Sequence, residues 1–390
     1  MTARWSFHNP VRIEFGAGCV APALGRLAQR RLLLVTTPGM TKRGKTAWLQ
    51  EVCAGRIAGV FDGVTPNPTL VGLDAMAAQR RADNYDGVLA LGGGSALDTG
   101  KVLAVLLCGS ANFSLDGHFL SAQPLPTQAP LPVIAVPTTS GTGSEVTPFA
   151  TVWDNRCCKK YSLSGERMFP ALALLDPELT HDLPWEVTLP TGLDALCQSF
   201  ESLWNRNANP VTVSYAMRGA KLAWDALHQG RSLMHSPQAR SDLMEASLLA
   251  GLAISHTRTA LCHSISYPLT SRFGLEHGSA CAVTMPAVLE FNMPTGHRNL
   301  DHLAKTLVND TPAVLLSTLV TLLVDLGLPE RVRQTMGSFD RASALVDEMM
   351  TPGRVGNNLR PVAIGDILEI LRRTHKYFPR LSPSCDFSGQ

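Results

Sequence analysis

Gly87-Val88-Leu89-Ala90-Leu91-Gly92-Gly93-Gly94-Ser95-Ala96-Leu97-Asp98-Thr99-Gly100-Lys101 is an apolar run that breaks on three glycines and resumes with a helical pattern. A strand that ends this way and opens a helix leaves bare backbone N–H groups at the helix N-terminus. The helix dipole and those donors favour an anion there, such as a pyrophosphate. The stretch is neither GxGxxG nor a Walker loop. A glycine turn between strand and helix also serves simply as a turn, and the residues alone leave both readings open.

Outward from this stretch the same grammar repeats. Leu32–Val35 and Val133–Val136 are short β-rich runs that also enter turns of Thr, Pro, Ser or Gly, which is the pattern of βα units on a parallel sheet. The turn after Leu131–Val136, Pro137-Thr138-Thr139-Ser140-Gly141-Thr142-Gly143-Ser144-Glu145-Val146-Thr147, packs hydroxyls and small residues together. Such a loop can bond a ribose or phosphate, or it can cap a helix through Thr142 or Ser144. Both glycine loops lie at the carboxyl ends of predicted strands, the edge where open α/β sheets take their ligands. Residues 1–180 are therefore expected to form an α/β, Rossmann-like dinucleotide-binding domain.

Past residue 180 strands fade. Thr188–Trp204, Val211–His228, Ser241–Ser255, Pro312–Leu326 and Ile364–His375 are expected helices, punctuated by Asn209-Pro210, Ser236-Pro237 and Thr351-Pro352-Gly353. Residues 181–390 thus read as an all-helical domain, and no repeat or low-complexity tract interrupts either half. The chain's 390 residues suit two domains of ordinary size.

Composition narrows the partners. A net charge of +2 with 17% charged residues and no basic run gives no footprint for nucleic acid. The nine cysteines, Cys19, Cys53, Cys108, Cys157, Cys158, Cys197, Cys262, Cys281 and Cys385, are odd in number and contain no CxxC pair. They read as reduced thiols of a cytoplasmic protein rather than a disulfide framework. No signal peptide is expected, since Met1–Pro10 has Arg4 but no apolar stretch behind it, and no membrane partner, since the apolar stretch Ala313–Leu328 is broken by Ser317, Thr318, Thr321 and Asp325 and reads as a buried helix.

The helical half carries the chemistry-bearing side chains. In Thr191-Gly192-Leu193-Asp194-Ala195-Leu196-Cys197-Gln198, Asp194 and Gln198 stand four apart on one helix face; Cys262-His263 and His277-Gly278 follow far downstream. One carboxylate, one amide and two imidazoles could close on Fe2+, Zn2+ or Mn2+.

GGGSALDTGK at 92–101, PTTSGTGSEVT at 137–147, LLDPELT at 174–180, TGLDAL at 191–196 and the His263/His277 pair together resemble the iron-containing, group III alcohol dehydrogenases. So do Phe7-His8-Asn9-Pro10, Phe15-Gly16, Pro66-Asn67-Pro68-Thr69 and Asn357-Asn358-Leu359-Arg360-Pro361, so that the match runs through nearly the whole chain. The resemblance implies a nucleotide-binding domain, a helical metal domain, and hydride exchange between a nicotinamide and a carbonyl or alcohol at a metal. It implies NADH or NADPH and a divalent metal, Fe2+ before Zn2+, and a homodimer.

Carried over by position, Gly93, Gly94, Ser95 and Asp98 correspond to the pyrophosphate site. Thr138, Thr139 and Thr142 correspond to contacts towards ribose and nicotinamide, Lys160 to a further cofactor contact, and Asn67 to the adenosine side. Thr37 stands where many NAD-preferring relatives have an acidic residue, with Lys42 and Arg43 soon after, which admits NADPH. The implied metal set is Asp194, Gln198, His263 and His277, with Gln198 in place of a customary His. Tyr267 stands where many relatives have a further His in a proton relay.

Glu201–Pro210, Thr257–His263 and Ser266–Thr270 are similar to the phosphonoacetaldehyde reductase (hydroxyethylphosphonate dehydrogenase) branch of that family. Arg258, five positions before His263, could hold a phosphonate dianion, or could bond a helix end or carboxylate. Arg206, Lys159 and Arg272 are weaker candidates for the same task. The expected substrate is a small anionic carbonyl compound, phosphonoacetaldehyde or phosphonopyruvate. The alternatives are a general small aliphatic alcohol dehydrogenase, a dehydroquinate synthase-like lyase with catalytic NAD, and a non-enzymatic binding protein.

Overall fold

The computed structural model describes residues 4–108, 113–157 and 159–381. They divide into two compact units, 8–183 and 184–381, the second joined by residues 4–7.

The first unit is built on a six-stranded parallel sheet of β1 (Arg12–Phe15), β2 (Leu32–Val35), β3 (Ile57–Phe61), β4 (Gly87–Gly92), β5 (Val133–Pro137) and β8 (Leu172–Leu175), ordered β1-β8-β5-β4-β2-β3. Strands β2, β4, β5 and β8 are buried along their whole length. This is why they read as unbroken Leu, Val, Ile and Ala runs: helices cover both faces and leave no place for polar alternation. Leu33, Val35 and Val88 pack on one face with Leu73, Val102 and Leu106. Leu32, Leu34, Leu89, Leu91, Ile134 and Val136 pack on the other with Val20, Leu24 and Leu49.

Strand order turns back between β2 and β4. In a doubly wound sheet that reversal opens a crevice at the carboxyl ends, here Thr36-Thr37 and Gly92-Gly93-Gly94. An antiparallel hairpin, β6 (Phe149–Asp154) with β7 (Lys159–Ser164), forms a separate two-stranded sheet. The sequence reading did not foresee it, because Phe149-Ala150-Thr151-Val152-Trp153-Asp154 follows directly on a loop read as polar and ends on a charged turn.

The second unit opens with three long helices, Trp185–Leu203, Pro210–His228 and Pro237–Thr257. Among the described residues it contains no strand, only an isolated bridge between Asn205 and Asn358. Two of these helices begin before their apolar periodicity does. Asn209 accepts from the Val211 and Thr212 N–H groups while the Thr212 hydroxyl accepts from Asn209 N, a capping box, with Pro210 next in line. Ser236 caps Ala239 N ahead of Pro237 in the same way.

The helix Pro312–Asp325, expected to be buried, buries only one side. Leu315, Leu319, Leu322 and Leu323 face the core, whereas Val314 and Val324 are 39% and 49% exposed. Among the described residues no single helix is long and apolar enough to cross a membrane. The seven described cysteines are all free, and Cys158 and Cys385 lie outside the described residues.

Candidate metal centre and nucleotide loops

Three helices of the second unit bring the expected metal residues together. Trp185–Leu203 supplies Asp194 and Gln198, Leu261–Phe273 supplies His263, and His277–Ala282 supplies His277. Asp194 Oδ1 lies 3.3 Å from His263 Nε2, and the rings of His263 and His277 meet edge to face at 5.2 Å. Donor atoms of Asp194, His263, His277 and Cys281 all lie within 4.8 Å of one another.

The close approach depends on Gly278. A Cβ there would sit 1.8 Å from the Pro190 carbonyl oxygen, so only a glycine lets the His277 helix descend onto Trp185–Leu203.

Asp194 Oδ1, Gln198 Oε1 and His263 Nε2 are buried and lack hydrogen-bond partners. Buried polar atoms are nearly always satisfied, so the orphaned Asp194 and His263 atoms, 3.3 Å apart, fit a cation, and Gln198 Oε1, one helical turn beyond Asp194, is orphaned in the same way. The electrostatics agree. Burial opposes a charged imidazole, yet the Cys281 sulfur, Glu201 and Asp194 hold His263 well above its ordinary range. Positive charge is favoured at this place.

Glu201, which the sequence reading quoted without a role, is fully buried one helical stretch beyond Asp194. Its Oε2 accepts from Ala260 N (2.8 Å) and contacts His263 Nδ1 at 2.7 Å, and its Oε1 accepts from His263 N at 3.2 Å. That carboxylate fixes the ring and turns Nε2 towards Asp194. Its signal in the sequence was a third polar residue on the Asp194–Gln198 face, at i+7.

Beside this cluster, the Tyr267 ring stacks on His277 at 6.2 Å, and the Tyr267 oxygen accepts from Arg354 Nε at 3.2 Å. Arg258 is partly buried, and both burial and the Arg354 charge lower its pKa, which places the two guanidiniums near each other. Arg258 ends the helix Pro237–Thr257 with φ 60° and ψ 172°. A side chain rarely adopts this backbone conformation, which costs about 1–3 kcal/mol and persists where surrounding bonds impose it. Asn205 Nδ2 and Thr257 Oγ1 both donate to the Arg258 carbonyl, at 3.1 and 3.0 Å. Of the weaker anion candidates, Arg272 pairs with Glu348, Lys159 lies over the Tyr161 ring, and Arg206 lines a cavity with Arg4, His256 and Arg298.

In the first unit the two glycine loops lie against each other. Thr138 N donates to the Gly92 carbonyl at 3.0 Å, and a Cβ on Gly94 would meet Thr142 Cγ2 at 2.7 Å. Gly93 caps the helix Gly94–Leu106, with Ser95 in its first turn. Thr139 borders Gly93, and Thr138 Oγ1 is buried without a hydrogen-bond partner. Asp98 commits both oxygens to the second loop and its continuation, Ser144 Oγ at 2.5 Å and Thr151 N at 2.7 Å.

Lys101 closes the stretch 87–101, where nothing local marks a role for it. It is fully buried, and its Nζ donates to the carbonyls of Ser144 (2.9 Å), Thr147 (3.3 Å) and Phe149 (2.5 Å), pinning the second loop from beneath. Thr37 caps the helix Pro38–Lys42 at the end of β2, Asn67 is exposed at φ 56°, and Lys160 Nζ lies 5.8 Å from the Trp153 ring centre.

A doubly wound sheet with paired glycine loops, and a helical unit that gathers Asp194, His263 and the half-buried His277, define a metal-type oxidoreductase. The chain belongs to the iron-containing alcohol dehydrogenase family: the sequence model described as iron-containing alcohol dehydrogenase matches residues 10–177, and that of the family's C-terminal part matches 188–375. It is 39% identical over 270 residues to phosphonoacetaldehyde reductase of Streptomyces viridochromogenes, covering 65% of this chain and 67% of that one. It is 33% identical to 4-hydroxybutyrate dehydrogenase of Cupriavidus necator, over 86% of this chain and 92% of the other. Among solved structures it superposes on sulfoacetaldehyde reductase from Bifidobacterium kashiwanohense, crystallised with NAD+, with TM-score 0.86 at 29% identity, covering 98% and 100% of the two chains.

Proposed function

We propose that this chain reduces a small phosphonate aldehyde or oxo-phosphonate, such as phosphonoacetaldehyde or phosphonopyruvate, to the hydroxyalkyl phosphonate. NADH or NADPH is the reductant, and Asp194, Gln198, His263 and His277 hold a divalent cation. One observation carries the substrate class: Arg258, locked in a strained backbone conformation, stands near Arg354, and Arg354 bonds the tyrosine stacked on His277. A guanidinium that approaches a second one, itself bonded to the tyrosine stacked on His277, suits a dianion better than an alkyl chain. The similarity to reductases of phosphonoacetaldehyde and sulfoacetaldehyde, both anionic two-carbon aldehydes, supports the same class.

A cation held by Asp194, Gln198, His263 and His277 would supply Lewis acidity at the substrate carbonyl, and a nicotinamide would supply the hydride. Glu201 holds His263 in one orientation and tautomer, so the donor set needs no reorganisation when substrate arrives. Tyr267 is placed to give the proton: its oxygen accepts from Arg354, whose charge stabilises the phenolate that remains. The glycine loops of the first unit, with Gly93, Gly94, Ser95, Thr138, Thr139 and Thr142, are the cofactor cradle in this reading. The absence of a carboxylate at Thr37 admits a 2′-phosphate as well as a free ribose.

The deciding experiment compares kcat/KM for phosphonoacetaldehyde and propanal, with each nicotinamide, in the wild type and in Arg258→Ala. The phosphonate aldehyde should lead by at least two orders of magnitude, and the variant should lose most of that lead; one bidentate charged contact is worth about 1.5–3 kcal/mol. Equal values for the two aldehydes, unchanged by Arg258→Ala, would leave a general aliphatic alcohol dehydrogenase. Turnover without net loss of NAD(P)H would point to a lyase.

A further inference from the structure

The family-like donor set contains one weak member, Gln198, and the structure sets a stronger donor beside it. Cys281 lies four residues after His277 on the same short helix, is fully buried, and shares a 4.8 Å cluster with Asp194, His263 and His277. Its sulfur lies 3.9 Å from His277 Nε2 and 4.0 Å from Nδ1. In a tetrahedral site with M–S near 2.3 Å and M–N or M–O near 2.1 Å, the S–N edge is about 3.6 Å and the O–N edge about 3.4 Å. The observed 3.9 Å sulfur–imidazole and 3.3 Å Asp194–His263 separations are close to those edges.

Resting on the metal-dependent reading above, we propose that Cys281 is a metal ligand of this chain, completing Asp194, His263 and His277 with a thiolate and making the centre prefer Zn2+ to Fe2+. On binding, the Cys281 S–H gives up its proton to solvent and a metal–sulfur bond forms, with no change of oxidation state. A thiolate is a far better donor than a neutral amide for a borderline-soft ion, so it takes the position that Gln198 fills poorly. Gln198 Oε1, orphaned one helical turn beyond Asp194, is then left to contact a metal-bound water or substrate oxygen. Two further buried thiols, Cys197 and Cys262, form a neighbouring cluster with Glu201, with Cys197 in contact with Cys281, and are the internal controls.

The test is a cobalt(II) titration of the full-length, metal-stripped protein, read by absorption spectroscopy. A thiolate ligand gives an intense sulfur-to-cobalt charge-transfer band in the near ultraviolet, and an oxygen and nitrogen site gives only weak visible bands. The wild type, Cys197→Ser and Cys262→Ser should show the band; Cys281→Ser should bind cobalt without it. Competitive loading with equal Zn2+ and Fe2+ under anaerobic conditions, followed by elemental analysis, should favour zinc in the wild type at least tenfold more than in Cys281→Ser. Should Cys281→Ser fail to fold, survival of the band in the Cys197→Ser/Cys262→Ser/Cys385→Ser triple variant assigns it, because the other described cysteines belong to the first unit. Cobalt binding with no charge-transfer band in the wild type overturns the thiolate ligand and leaves the metal reading standing. No cobalt binding at all overturns both.

Discussion

Glu201 shows how much of the metal centre is decided by a residue that touches no metal. Its two oxygens answer three N–H groups: Oε2 serves Ala260 N and His263 Nδ1, and Oε1 serves His263 N. Glu201→Gln replaces one oxygen with an NH2 that must face a donor, so a hydrogen bond becomes a repulsion in a site sealed from water. The expected result is a 10–100-fold loss of metal affinity, measured by chelator competition, with stability lowered by about 1–3 kcal/mol. Unchanged affinity would show that His263 is oriented by packing alone. His263→Ala should nearly abolish turnover while the far-ultraviolet circular dichroism stays native. Full activity of that variant after rigorous metal removal would refute the metal reading outright.

Elements are pressed together here at specific points, and those points are testable. The helix His277–Ala282 reaches Trp185–Leu203 only because Gly278 has no side chain. Gly278→Ala puts a carbon inside the Pro190 carbonyl, and the short helix must withdraw, taking His277 with it. Overpacking of this kind costs about 1–3 kcal/mol, a fall of roughly 2–10 °C in Tm for a unit of this size. The variant should also purify with well under one equivalent of metal. A full equivalent, with Tm unchanged, would mean that the helices can slide without loss.

The loop after β5 carries a second tension. Glu145 is buried, and burial pushes its carboxyl from 4.5 up to about 7, against the lowering effects of its own backbone N–H and of Lys101. Between those two values the folded chain holds a proton that the unfolded chain has released. The contribution to stability is therefore fully present below the unfolded value and lost as pH rises towards 7; above that the cost of a buried charge is carried in full, on the order of 3 kcal/mol at most. Glu145→Gln should stabilise the protein at about pH 8 and have little effect at about pH 5, read from urea midpoints. A difference that does not grow with pH would place the proton elsewhere.

At the scale of the whole molecule, the sequence made legible what depends on local pattern. The strands Leu32–Val35 and Val133–Val136, the glycine loops and the long helices follow from burial on both faces or from helical periodicity, which one sequence displays directly. Hidden from it was whatever depends on a partner far along the chain. Lys101 reads as an ordinary helix residue until Ser144, Thr147 and Phe149 fold over it. Cys281 reads as a core thiol until the Pro190 contact brings its helix in, and Arg354 is one of many surface arginines until it meets Tyr267. The hairpin β6–β7 was missed for a different reason. Its second strand, Lys159–Ser164, is half exposed and polar, so alternation is weak.

Because the donor residues and the nucleotide loops lie in different compact units, their ligands should leave different imprints on the chain. A cation bound at about a thousandfold over its Kd adds roughly 4 kcal/mol to whatever must unfold to release it. The donors sit on three helices of the second unit, so stripping the metal should speed amide exchange in Trp185–Leu203, Leu261–Phe273 and His277–Ala282. Exchange in β2, β4 and β5, which belong to the other unit, should hardly change. Adding NAD(P)H should do the converse, protecting the Gly94–Leu106 helix start and the loop 137–147. Hydrogen exchange with mass spectrometry resolves both sets of peptides in one experiment. If chelation loosens the sheet as much as the three helices, the cation is not confined to the Asp194 cluster, and the assignment of metal and nucleotide to separate units falls.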